Sequence, residues 1–430
     1  MILLRNNSIL GRVTAILLLY TALISVQPEQ AWSHPTGTRS IFDFKDLLHI
    51  ESLHSGICSK LLGNENFQLL SPRQQQNFSS LSSEPTLKFG LCDVCHGIVS
   101  VFSKIFSSSL SKELIVKLAT WVCDECHIED NFVCKYVTTE FRDEVLYVIQ
   151  QLIVNPDQVC PILYEECGSP EYGNPYYNWT DKVTLPNTPK PPVDVLQPPP
   201  PNSKTIRILH ISDLHYDLQY VPGTEADCSD PLCCRTDSTM KKKNITQPAG
   251  YWGSIANCDV PYWTVDAIFD YISKNEQFDM VYWTGDLPSH DIWKQSRQQQ
   301  LSQYRNMTAL FKKYFGNRLV LSTVGNHESA PVDSYPPHWN TLPREYNIDW
   351  LYKELNNSWR NWLNDPETSE QIMKRASYSQ KINDELRVIS LNTAYNDDSN
   401  FWIYLNQTDP DGVMSWLIEQ LQKAEDAGEK

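Results

Sequence analysis

The 430 residues are enough for two or three domains and at least one sizeable core. Hydrophobic residues at 41% and charged residues at 20% exclude a wholly disordered chain. With 36 basic against 52 acidic side chains the net charge is −16, which argues against non-specific binding to nucleic acid or to an anionic membrane at neutral pH.

Arg5 and Arg12 lead into an apolar run, Val13 to Val26, followed by polar residues up to Ala31. That order reads as a signal peptide over 1–31. The run is short for the ~20 residues of a membrane anchor. Six later Asn-x-Ser/Thr triplets, at Asn77, Asn178, Asn244, Asn306, Asn356 and Asn406, are candidate glycosylation sites and agree with a secretory route. The expected destination is extracellular or lysosomal. There the twelve cysteines default to disulfides.

Residues 32–87 read as a flexible lead-in with one amphipathic stretch, Ile41 to Ile50. Residues 88–170 hold seven cysteines and three helical patterns. Ile98, Val99, Phe102, Ile105 and Phe106 share one face. Leu114, Ile115, Leu118 and Val122 share another, as do Val145, Val148, Ile149 and Leu152. Cys92-x-x-Cys95-His96 and Cys123-x-x-Cys126-His127 match a haem-attachment string, and together a Cys₄ zinc site. An oxidising compartment and further partner-seeking cysteines favour disulfides over both.

This segment resembles the saposin B-type family. The resemblance implies the pairs Cys92–Cys167, Cys95–Cys160 and Cys123–Cys134, and a domain that opens an apolar face to lipid. Cys126 lies outside the pattern and is left with Cys58. The alternative is a stapled packing domain with no lipid role. Six basic and twelve acidic side chains in 88–170 mean that acid would weaken repulsion from anionic lipid. Residues 171–204 form a Pro-rich linker ending in Pro198–Pro201.

From residue 205 to 430 the texture changes. Three apolar strands each end in ligand-type residues: Ile206–Ser212 before Asp213-x-His215, Phe278–Trp283 before Gly285-Asp286 and His290, and Leu319–Val324 before Gly325-Asn326-His327-Glu328. Helical patterns at 265–272 and 301–311 separate them, which predicts βαβ units and a largely parallel sheet. Catalytic groups in such folds gather beyond the carboxyl ends of the strands. Mixed carboxylate, imidazole and amide donors suit zinc, manganese or iron. Two such ions can clamp both oxygens of a displacement at phosphorus.

The order D-x-H, GD, GNHE resembles the calcineurin-like metallophosphoesterases. Together with Cys228, Cys233, Cys234, Cys258 and the preceding cysteine-rich domain, it resembles the acid sphingomyelinase family in particular. The resemblance implies an α/β metallophosphoesterase fold, an incomplete sheet sandwich with flanking helices, behind a small all-α disulfide-linked saposin-like domain. It implies the disulfides Cys228–Cys233 and Cys234–Cys258. It implies two zinc ions held by Asp213, His215, Asp286 and Asn326, with Asp286 bridging. His290 and His327 would lie near the scissile phosphate, His290 protonating the leaving group; the alternative for His290 is a cap on the following helix. The expected activity is hydrolysis of sphingomyelin to ceramide and phosphocholine by a monomer that meets lipid through its saposin-like domain and binds no nucleic acid. Soluble nucleotide or phosphocholine esters are the alternative substrates. The family's further histidines, in Gly-His and Gly-His-x-His segments, do not occur before Lys430, and Asn396 stands where the family has cysteine. The chain is therefore expected to be truncated on its C-terminal side, to bind zinc poorly and to be inactive as written; a non-catalytic lipid-binding isoform is the alternative.

Overall fold

The computed structural model describes residues 110–125, 129–152 and most of 198–430, with scattered positions between 92 and 192. The leader, the lead-in, the 98–106 helix, Cys58, Cys95 and Cys126, and Asn77, Asn178 and Asn244 lie outside the described residues. The chain divides into two compact units, 1–174 and 175–430.

In the first unit, helices α1 (Leu110–Glu125), α2 (Asn131–Glu140) and α3 (Arg142–Leu152) follow one another closely. Val133, Val137, Val145, Leu146 and Val148 are buried, so α2 and α3 each turn an apolar stripe inward. A core this small needs cross-links. Cys123 and Cys134 form a disulfide between α1 and α2, and both are fully buried. Beside it, the hydroxyls of Thr120 and Thr138 lie 2.7 Å apart. Cys92 is bonded to Cys167. Cys160 is also disulfide-bonded, to a partner outside the described residues. Among the described residues no helix is long and apolar enough to cross a membrane.

The second unit is built on a three-stranded parallel sheet, β1 (Ile208–Ile211), β4 (Met280–Trp283) and β5 (Leu319–Ser322), in spatial order β1-β4-β5. The register sets Ile211 opposite Trp283 and Trp283 opposite Ser322, so all three strands end at one level. Between them run β2 (Tyr216–Asp217) with β3 (Val260–Pro261), a short parallel pair, then helices α4 (Tyr262–Asn275) and α5 (Arg297–Phe315). α5 starts where Ser296 accepts the Gln299 N–H and ends at Gly316, whose φ of 62° suits a residue without a side chain. Its Tyr304 and Phe311 stack on Trp283 at 4.9 and 4.8 Å, while Phe269 of α4 packs on Phe311 and Phe315. Each such aromatic contributes about 1.5–3 kcal/mol by leaving water. This clamp holds the strand ends rigid beneath the loops that follow.

Helices α6 (Asp349–Trp359) and α7 (Pro366–Arg375) come next, then the antiparallel hairpin β6 (Tyr378–Lys381) with β7 (Arg387–Ser390), and last α8 (Val413–Asp426). β7 thus pairs antiparallel with β6 and stands apart from the parallel sheet. The hairpin is tied to β5 by the Tyr378 hydroxyl, which meets both the N–H and the carbonyl of Ser322.

Candidate metal centre

Three loops leave the carboxyl ends of β1, β4 and β5. The first runs alongside the second by backbone hydrogen bonds: Asp213 N–H to the Gly285 carbonyl (3.2 Å), His215 N–H to that of Asp286 (3.1 Å) and Tyr216 N–H to that of Leu287 (2.9 Å). The third is stitched on by Glu328, whose buried carboxylate accepts the N–H groups of Gly325 (2.7 Å), Leu287 (2.9 Å) and Asp286 (3.2 Å). The Asp286 carboxylate in turn accepts the His327 N–H at 3.0 Å. Glycine is required where loops two and three touch. A Cβ on Gly285 would lie 2.2 Å from the Gly325 nitrogen, and one on Gly325 would lie 2.1 Å from Asp286 Oδ1.

Ligand atoms of Asp213, His215 and Asp286 lie within 4.8 Å of one another, and so do those of His215, His290 and His327. Asp213 and His290 are exposed and the others half-buried, so the cluster opens to solvent on one side. Asn326 sits in the Gly325–His327 turn, and its amide nitrogen donates to Asp333 Oδ1 at 2.8 Å. Asp213, His215 and Asp286 all have left-handed backbones, with φ of 52°, 36° and 56°. Such conformations cost about 1–3 kcal/mol each and concentrate at functional sites.

The groups around the cluster orient its imidazoles. His215 Nδ1 contacts the Pro288 carbonyl at 2.8 Å, and His290 Nδ1 contacts Asp259 Oδ1 at 2.7 Å while its N–H meets Asp259 Oδ2. In both cases Nδ1 carries the hydrogen, and Nε2 is the atom left for chemistry. The hydrogen bond to Asp259 raises the His290 pKa against the pull of burial. Burial, helped by His215 and His290, holds His327 down at about 3. Its Nδ1 is buried without a hydrogen-bond partner, an orphaned donor site at the edge of the cluster. Burial and the neighbouring Asp286 push Glu328 up to about 7, opposed by its three N–H donors. Burial likewise raises Asp286.

His290 does not cap the helix that follows, since Ser296 does. His338 is held between Asp411 (2.8 Å) and Asp349 (3.0 Å). Cys228 is bonded to Cys233 and Cys234 to Cys258. Of the described glycosylation triplets, Asn356 accepts the Ser369 hydroxyl, Asn406 accepts the Thr408 N–H, and Asn306 meets Tyr216.

Sequence reasoning passed over the residues beneath the cluster. Arg235 is buried and forms a two-pronged pair with Asp217 (2.6 and 2.8 Å) while reaching Asp291 (2.6 Å) and Ser289 (3.0 Å). Gln295 holds the Ser289 carbonyl, Gln300 holds Gln295 and Gln300 also donates to the His327 carbonyl. One buried chain of polar contacts therefore joins all three loops. The only local signal was position: Arg235 follows Cys234 and Asp259 follows Cys258, the two halves of one disulfide.

Nitrogen and oxygen donors in this arrangement, with an unpartnered imidazole nitrogen beside them, fit a divalent cation. A model of the calcineurin-like phosphoesterase family matches residues 206–423. The chain belongs to that family. Membership of that family, with the donors gathered here, implies a site for a divalent metal. Among curated proteins the chain is 36% identical to sphingomyelin phosphodiesterase 1 of Caenorhabditis elegans, over 79% of this chain and 60% of that one. It is 35% identical to the sphingomyelin phosphodiesterase of Homo sapiens and to sphingomyelin phosphodiesterase B of Dictyostelium discoideum, each over 79% of this chain but 52% and 51% of theirs. The chain thus spans between half and three fifths of these relatives' length.

Proposed function

We propose that these residues build the catalytic centre of a zinc-dependent sphingomyelin phosphodiesterase. The observation that carries the reading is the meeting of Asp213, His215 and Asp286 with His290 and His327 beyond one end of the parallel sheet. The names of the relatives support the substrate. Asp213 and His215 would hold one zinc ion, Asn326 the other, and Asp286 both. When bound, the pair supplies Lewis acidity toward the phosphoryl oxygens and lowers the pKa of water.

The two remaining histidines divide the other work. His290, whose proton affinity is raised by Asp259, donates a proton to the leaving ceramide oxygen through Nε2. His327, neutral down to about pH 3, hydrogen-bonds the charge developing on the phosphoryl group. The first unit presents the lipid as a saposin-like domain. The basic and apolar leader with the disulfides supports passage through the secretory route to lysosome or medium. The protein acts as a monomer.

The test is phosphocholine release from sphingomyelin at saturating zinc, compared with D286N and H290Q. Whatever release the chain retains as written is expected to be lost in D286N and to fall about a hundredfold or more in H290Q. Turnover of soluble nucleotide esters with none of sphingomyelin would replace the substrate assignment. Release unaffected by D286N would remove the centre itself.

A further inference from the structure

The loop 245–258 leads directly into Asp259, the carboxylate that holds His290. It contains no Asp, Glu, Lys or Arg, in a chain whose net charge is −16. Its tip carries Tyr251 and Trp252, 60% and 62% exposed, and the fully exposed Ile255. Large apolar groups projecting together from one tip mark a surface that meets something apolar.

The tip is ordered in advance. Gly250 N–H donates to Ser254 Oγ (2.9 Å) and the Tyr220 hydroxyl donates to the Gly250 carbonyl (2.8 Å). Trp263 Nε1 donates to the Tyr251 carbonyl (2.7 Å) and Thr264 Oγ1 to that of Trp252 (2.9 Å). The Tyr251 ring packs against both Trp252 (5.0 Å) and Trp263 (5.5 Å). The Cys234–Cys258 disulfide closes the base. Ile268 and Tyr271, one and two turns past Thr264 on α4, are also exposed and extend the apolar face. A surface fixed in this way loses little conformational freedom on docking.

We propose that this tip is a membrane-docking surface of the catalytic unit, seating Tyr251, Trp252 and Ile255 in the lipid–water boundary next to the metal centre. The inference rests on the reading of the substrate as a membrane lipid. Tryptophan and tyrosine favour that boundary, where the ring meets acyl chain and the polar edge meets headgroup. The absence of charge in the loop means that no ion is stripped of water on entry. Docking here places a lipid phosphodiester near His290, because the loop and His290 share Asp259 as their junction.

The experiment uses the full chain with vesicles of phosphatidylcholine and sphingomyelin containing a minor fraction of phosphatidylserine. Sedimentation with vesicles is expected to weaken about tenfold in W252S/I255S, the equivalent of about 1.4 kcal/mol. Hydrolysis of a soluble p-nitrophenyl phosphodiester is expected to stay unchanged, which also reports that the variant is folded. Vesicles carrying brominated lipid are expected to quench the tryptophan emission of the wild type more than that of W252F, a variant that keeps an aromatic ring in place. Equal sedimentation and equal quenching in wild type and variants would overturn the inference. A concentration-dependent dimer lost in W252S/I255S would overturn it too, by assigning the tip to a second copy. If soluble phosphodiesters are hydrolysed, sphingomyelin is not, and Trp252 is still quenched, the substrate assignment fails and the docking surface stands.

Discussion

Three of the four proposed ligands, Asp213, His215 and Asp286, take backbone conformations that side chains disfavour. The neighbouring loop overcomes that cost through the backbone bonds that Asp213 and His215 make to Gly285 and Asp286. Strain here aims side chains at a common point that an unstrained turn would leave dispersed. The same logic applies to His290, whose ring is set by Asp259 through both a side-chain and a backbone contact. D259N removes the charge that favours the imidazolium but keeps the fold. Sphingomyelin turnover is expected to fall about 10–100-fold. The loss should be much smaller on p-nitrophenyl phosphocholine, whose leaving group needs no proton. Equal losses on both substrates would contradict a proton-donating His290.

Loops one, two and three are held together from below as well as from above. Arg235 is 4% exposed at its side chain and pairs with Asp217 and Asp291. R235M would leave two buried carboxylates facing each other without a cation. A loss of about 3–5 kcal/mol is expected, read as a lower denaturant midpoint, and D217N/R235M should recover part of it. The disulfide-closed insertion has a second electrostatic fastening. Glu225, buried against 246–247, accepts the backbone N–H groups of Thr246, Gln247 and Asp227 and the Thr246 hydroxyl. The Thr246 N–H leads in holding its pKa at about 2, against an ordinary 4.5. The sign follows directly: a carboxyl depressed on folding stabilises the protein above its ordinary pKa, and that stability drains away as pH falls toward the folded value. The Tm difference between wild type and E225Q should hold steady from about pH 7 to about pH 5, then close between 4.5 and 2. A gap that closes already at about pH 6 would show a different group at work.

The second unit as a whole behaves as a scaffold with a cation site, so its stability and its metal content are linked. Zinc at a hundredfold excess over its Kd is expected to add about 2.7 kcal/mol, seen as a higher Tm in calorimetry and reversed by EDTA. D213N/D286N should respond to neither. A Tm insensitive to zinc in the wild type would show that the donors do not bind it as a set.

Much of this architecture was legible before any coordinates. The three metal-loop strands and the helices between them obey rules of short range, while the cysteine pairs 228–233 and 234–258 were expected from the family resemblance alone. Apolar spacing within ten residues reveals a helix or a strand, and a motif after a strand reveals where its side chains emerge. α7 escaped notice because only Ile372 and Met373 interrupt its polar sequence; Asp365 caps it and Pro366 opens it. α6 displays Leu351, Tyr352, Leu355 and Trp359 at helical spacing and could have been read. The residues under the centre could not. Arg235 reaches partners 18 and 56 positions away, and Asp259 meets a histidine 31 positions on. Nothing in a linear pattern ranks one buried arginine above the other basic residues. Chain order and residue type were enough to establish which chemistry is present, because donor identity is a local property. Which carboxylate steadies which imidazole, and which backbone is bent out of shape to do it, was left to packing, because those choices depend on distances between segments that only folding brings together.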